Sequence, residues 1–224
     1  MSGPRHSIGV TFQSAGKRWR ALVLAGLAAA ACSAIPKDNP ATGTLQPVDI
    51  PAYEVGTVFH QHDLLTGQDS FWRIVDVQDG LVHAESRSGC RYSFRDPLLP
   101  TLTWDDCSGA AGWTSGRRTF TAAEGSLWPL RVGNKARYEV SWTGNGGQTD
   151  SGTLDCSVDQ AVRLTVRAGE MDAYRVVCLL RWSDVSRTRI TYWAPELGQV
   201  RFTDTHSRQG TTTSTELIRV EAPV

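Results

Sequence analysis

Two imidazoles one residue apart, in the run His60-Gln61-His62-Asp63, are the groups in this chain best spaced to hold a metal ion. On an extended strand, positions two apart project from the same face, so both rings would reach one ion. A complete site needs third and fourth ligands, and His83 and His206 are distant in the sequence. The expectation is no metal centre, with polar residues at a strand end accounting for the cluster. Carboxylates also pair, as Asp105-Asp106 and as Asp63 with Asp69. Such pairs serve glycoside hydrolysis as acid and nucleophile or base. Adjacent Asp residues before Cys107 read more simply as a solvated turn. The chain has no Gly-x-Ser-x-Gly elbow, no His-Glu-x-x-His and no phosphate-cradling Gly-rich loop. No catalytic residue and no cofactor are expected.

The thiols and indoles carry more information. Setting Cys32 aside leaves Cys90, Cys107, Cys156 and Cys178, an even number that suits two disulfides in an oxidising compartment. Three pairings are formally open. The sequence-local one, Cys90 with Cys107 and Cys156 with Cys178, is the simplest and is worth about 3 kcal/mol per bridge in the chain-entropy estimate. Seven Trp residues follow Cys32: Trp72, Trp104, Trp113, Trp128, Trp142, Trp182 and Trp193. Indoles on a sheet face stack on sugar rings or line apolar pockets, although most large aromatics simply fill the core. Trp113, set among Gly112, Thr114, Ser115 and Gly116, is the candidate for a ligand surface.

The elements that must position these residues are strands. From Tyr53 onward the apolar pattern has a period of two. Phe71 to Val77 alternates, Asp79-Gly80 turns the chain, and Leu81 to Glu85 returns as the second arm of a hairpin. Tyr138 to Trp142 runs through Gly144-Asn145-Gly146-Gly147 into Thr153 to Cys156. Val162 to Val166 turns at Ala168-Gly169 into Ala173 to Leu179. Further strands are predicted around Thr188 to Trp193, Val200 to Thr205 and Thr211 to Val220, and no window gives an amphipathic helix. The reading is an all-β antiparallel protein.

The first thirty-one residues read as an export signal. Lys17-Arg18-Trp19-Arg20 precedes the apolar run Ala21 to Ala31, which is too short to span about 30 Å of hydrocarbon. The small residues Ala28 to Ala31 suit an ordinary signal peptidase. The run into Cys32 also resembles the lipobox of bacterial lipoproteins, with Ala29 where Leu, Val or Ile is usual. Acylation of Cys32 would anchor the chain, and Ser33 behind it favours an outer membrane facing the periplasm or the surface. The leader carries four basic residues and no acid, leaving 19 basic against 23 acidic residues. That balance argues against nucleic acid as a partner. The abundance of Arg over Lys reads as coding bias.

The organisation expected is a signal peptide (1–31), a Pro-rich linker (32–52), an N-terminal β unit (53–109), a Gly- and Ser-rich joint (110–125) and a C-terminal β domain (126–222). The last of these resembles a bacterial family of exported proteins of unassigned function. The resemblance rests on Pro129-Leu130-Arg131-Val132-Gly133-Asn134, on Val166-Arg167-Ala168-Gly169 leading to Tyr174-Arg175-Val176-Val177, and on Tyr192-Trp193-Ala194-Pro195-Glu196-Leu197-Gly198. It covers 126–222, with Arg167 and Met171 standing where Pro and Phe are common. It implies curved antiparallel sheets in an open or half barrel, in an envelope lipoprotein without assigned catalysis. The function expected is non-enzymatic: a membrane-anchored protein binding a glycan, an apolar ligand or an envelope protein. The alternatives are an assembly factor acting through a sheet edge, and a hydrolase using the Asp-rich loops.

Overall fold

The computed structural model describes residues 38–108 and 112–223; the leader and Cys32 lie outside the described residues. All regular structure among them is strand. In chain order these are β1 (Asn39–Pro40), β2 (Val58–Asp63), β3 (Asp69–Gln78), β4 (Leu81–Ser86), β5 (Arg91–Phe94), β6 (Thr103–Asp105) and β7 (Gly116–Gly125). There follow β8 (Lys135–Gly144), β9 (Thr149–Val166), β10 (Gly169–Trp182), β11 (Val185–Ala194), β12 (Gly198–His206) and β13 (Gly210–Glu221). The Asp79-Gly80 turn is as read from the sequence, with both residues at positive φ (48° and 72°).

Strands β2 to β13 pair antiparallel in chain order, and β13 pairs with β2. The result is a closed twelve-stranded barrel rather than the open or half barrel expected. Register shifts at six pairings explain the closure, among them Arg175/Val176, Tyr192/Trp193 and Leu217/Arg219. A bulge bends its strand and increases local twist, so six of them carry the sheet around onto itself.

Closure also places both expected β units in one continuous sheet. The expected joint at 110–125 instead carries β7, a ten-residue stave bonded to β6 and β8. The linker read over 32–52 lies against the barrel from Asp38 onward. Asn39 and Pro40 pair with Arg163 and Val162, at the end of β9 that β8 does not reach. Asp38 Oδ2 lies 2.8 Å from Arg175 Nη1 and accepts a hydrogen bond from the Tyr192 hydroxyl at 2.9 Å. The Tyr174 hydroxyl donates to the carbonyls of Leu45 and Gln46.

The main core follows from alternation. Leu154, Cys156 and Val158 of β9 sit beside Leu180, Cys178 and Val176 of β10, all buried with Trp193 of β11. Two disulfides form, Cys90–Cys107 and Cys156–Cys178, which is the sequence-local pairing. Cys156 and Cys178 are direct partners across β9 and β10. The connection from β5 to β6 enters this core: Leu98 is fully buried, and Asp96 accepts hydrogen bonds from its backbone N–H and from Trp128 Nε1. Burial raises the Asp96 carboxyl above its ordinary pKa against the pull of those two donors.

Candidate functional site

Inward-facing positions of the barrel do not all meet, and a pair of adjoining cavities lies between them. The larger, ≈490 Å³, lies between the sheet β2–β5 and the ends of β11 and β12. Phe59 pairs with Trp72 across β2 and β3, and their rings stack 4.0 Å apart at 9°. Phe94 meets Tyr53 edge-on at 5.4 Å, and Tyr92 lies beside it. Trp193, Leu197 and Phe202 form the facing wall, with Gln61, Thr213 and Thr215 as polar points on the lining. Burial pushes the phenols of Tyr53 and Tyr92 well above the ordinary tyrosine value, so both are neutral at neutral pH. The wall reaches the surface at exposed Glu54 and Glu196. Its volume and aromatic lining fall within the usual range of small-molecule sites, about 300–1,000 Å³.

The smaller cavity, ≈240 Å³, adjoins it; Thr101 and Arg189 line both. Here three guanidinium groups, Arg118, Arg187 and Arg189, share the lining with one carboxylate, Asp204. Arg187 and Arg189 alternate along β11, and Asp204 is the cross-strand partner of Arg189 on β12. Arg189 Nη2 donates to Asp204 Oδ2 at 3.1 Å. Arg187 Nε approaches Oδ1 to 3.0 Å, an ion pair by distance, yet the two are misaligned and neither atom has a hydrogen bond. Arg118 Nη1 donates to the Thr101 carbonyl at 2.6 Å while its Nε has no partner. Its guanidinium lies 5.2 Å from the Trp104 ring centre, and that of Arg189 lies 4.8 Å from Phe202. Both distances fit cation–π attraction. Burial, reinforced by Arg189 and Arg187, lowers the Arg118 pKa to about 10, so it keeps its charge at pH 7. Burial likewise lowers that of Arg187.

The residues singled out from sequence scatter. Trp113 is half-buried in the wall of the smaller cavity, where its carbonyl accepts from Trp104 Nε1 at 2.9 Å. Trp72 and Trp193 line the larger cavity, while Trp142 and Trp182 pack edge-on at 5.8 Å beside the core. His62 and His60 are each engaged. Arg167 donates to His62 Nε2 at 2.9 Å, because a guanidinium only donates; the ring proton is therefore on Nδ1 and goes to Asp69 at 2.7 Å. That bond from His62, with Arg167 behind it, holds the Asp69 carboxyl below its ordinary value. His60 lies 3.2 Å from Glu221. Among the described residues, no group of three or more His, Cys, Asp or Glu is placed to hold a metal ion.

The carboxylate pairs are committed to local structure. Asp63 accepts from the N–H groups of Leu65 and Thr66, and Asp105 and Asp106 both pair with Arg91. The arginine cluster was missed by the sequence reading. Its only trace there is two charges, Arg187 and Arg189, in phase with Thr191 and Trp193.

Neither a protein-family model nor a curated protein matches this chain. Solved structures do show some likeness. A protein from Bacteroides fragilis, described as exported and YmcC-like in fold, is 10% identical with a TM-score of 0.47, over 79% of this chain and 100% of that one. YmcC from Escherichia coli, described as a hypothetical lipoprotein, is 7% identical with a TM-score of 0.45, over 82% of this chain and 93% of its own. A protein from Parabacteroides distasonis described as a lipoprotein is 11% identical with a TM-score of 0.41, over 79% of this chain and all of that one.

Proposed function

We propose that this chain is a non-enzymatic protein of the bacterial cell envelope, anchored through Cys32, whose barrel holds the apolar part of a ligand. The observation that carries the reading is the larger cavity. Its wall of Phe59, Trp72, Tyr92, Phe94 and Trp193 is built to hold an apolar group and exclude water; Thr, Gln and Arg are its inner polar points, and its two carboxylates, Glu54 and Glu196, lie at the surface end. Support for export comes from the leader and from two disulfides that persist in oxidising compartments. Closure of the ring of β2 to β13 favours this reading over a bare sheet edge adding a partner strand, since edges are left among the described residues only where β7 and β9 run past their neighbours β6 and β8.

Two measurements test this. Titration of the mature protein with the neutral fluorophore N-phenyl-1-naphthylamine should give saturable binding. Replacing Thr215, an inward residue of the larger cavity, by Trp should weaken that binding by about tenfold or more by filling the space. Equal binding by both proteins would place the probe elsewhere and remove the cavity from the argument. Intact mass of the protein from its native host's membranes should show a chain beginning at an acylated Cys32 and lighter by the hydrogens lost to two disulfides. An unmodified chain in the soluble fraction would end the anchor reading.

A further inference from the structure

We infer that the smaller cavity is an anion site, and that the ligand of the larger cavity is an amphiphile whose carboxylate or phosphate headgroup seats on Arg118, Arg187 and Arg189. This rests on the larger cavity being a ligand site. Three guanidinium groups and one carboxylate line this cavity, Arg187 and Arg189 meeting the carboxylate and Arg118 standing apart from it, which leaves an excess of two positive charges around a space of ≈240 Å³. Positive charge partly withdrawn from water without a counterion is costly, and a fold that collects it along a cavity fits a negative guest.

Hydrogen bonding within the cluster is also incomplete at two buried nitrogens, which leaves the outer guanidinium nitrogens to meet a guest. Arg118 Nε has no hydrogen bond, and Arg187 Nε meets Asp204 at a distance but not at an angle that makes one. Guanidinium forks match the oxygen pairs of carboxylate and phosphate better than ammonium groups do. Trp104 beneath Arg118 and Phe202 beneath Arg189 fix two of the planes, so little side-chain freedom would be lost on binding. Trp113 closes the same cavity and gives the candidate ligand surface read from sequence a place in it.

The two cavities share a wall at Thr101 and Arg189, and this argues for one guest rather than two. A chain lying along Phe59, Trp72 and Phe202 brings its polar end to Arg189, with Arg187 and Arg118 beyond. Glu54 and Glu196 at the surface end of the larger cavity are acidic. They disfavour an anion there and orient the headgroup inward.

The test is isothermal titration of the mature protein with decyl phosphate, decanol and inorganic phosphate. Decyl phosphate should bind about ten- to a hundredfold more tightly than decanol, as one or two charge-assisted hydrogen bonds would give. Arg187→Gln and Arg118→Gln, neither of which lines the larger cavity, should remove most of that preference while leaving decanol affinity within about twofold, a result that also reports an intact barrel. Equal affinity for decyl phosphate and decanol overturns the anion site and leaves the apolar cavity standing. Inorganic phosphate binding as tightly as decyl phosphate, with decanol inert, overturns the headgroup and makes a free anion the guest. No binding of any of the three overturns both readings. Should either Arg variant fail to fold, the ranking of the three probes on the unmodified protein decides the matter.

Discussion

Truncating Trp193 to Ala should destabilise the barrel by about 3–5 kcal/mol, a large share of the 5–15 kcal/mol typical of a single domain. Trp193 is 1% exposed and is among the largest fully buried side chains. It packs edge-on against Trp128 at 5.4 Å, and its ring lies over the Gly198 backbone. Main-core residues therefore lose contact together, and the void left behind opens into the existing larger cavity. Urea unfolding is the measurement. The midpoint should fall with the slope unchanged, since the same surface is exposed on unfolding. Trp193→Phe should recover more than half of the loss. A Trp193→Ala midpoint within error of the parent protein would show that the cavity wall collapses to fill the gap.

Asp204→Asn comes second, at about 3 kcal/mol, the lower end of what removing one partner of a buried ion pair costs. The Asp204 side chain is 3% exposed and lies against Arg187 and Arg189. Asn keeps the shape and withdraws the only carboxylate lining the smaller cavity, leaving three guanidinium groups to repel one another. The lower figure applies because Arg187 remains 38% accessible and water relieves part of its charge. Thermal unfolding in chloride and in sulfate at matched ionic strength separates this account from simple packing loss. Sulfate should restore part of the lost stability in Asp204→Asn by binding the folded state, while a deficit identical in both salts would mean that the cavity takes no anion.

Much of the architecture was legible because strands and tight turns are local. Asp79-Gly80 and Gly144 to Gly147 announced their hairpins through residues able to take positive φ. The alternation of Val162 to Val166 gave a strand whose buried positions are Val162, Leu164 and Val166. Cysteine parity and spacing led to the two bridges. Closure was not legible, since it depends on bulges such as Leu217/Arg219 that one strand cannot announce without its partner. β7 escaped for a different reason. Gly116 and Gly125 bound it, and glycine reads as loop, yet a Cβ at Gly116 would fall 2.4 Å from the Trp104 ring.

The candidate site was the least legible part. Arg118, on β7, meets Arg187 and Arg189 of β11 only because the sheet curls, and arginine on a strand normally reads as solvated. The seven aromatic residues of the larger cavity come from the segment before β2 and from β2, β3, β5, β11 and β12. Their number was visible, but their convergence was not.

The order of the staves has a consequence for biogenesis. Every strand pairing around the ring joins strands consecutive in the chain except one, where Gln61 of β2 meets Leu217 of β13. A meander of this kind can grow hairpin by hairpin as the polypeptide emerges, but its single seam waits for the last strand to arrive. Until residues 210–221 are in place, β2 and the growing end both present unpaired backbone, the condition that invites strand-to-strand aggregation. Sealing the seam also joins positions some 150 residues apart, which makes it the slowest contact on topological grounds. The C-terminal strand is thus the keystone of the molecule, and a lesion within it would reopen the ring instead of fraying an end.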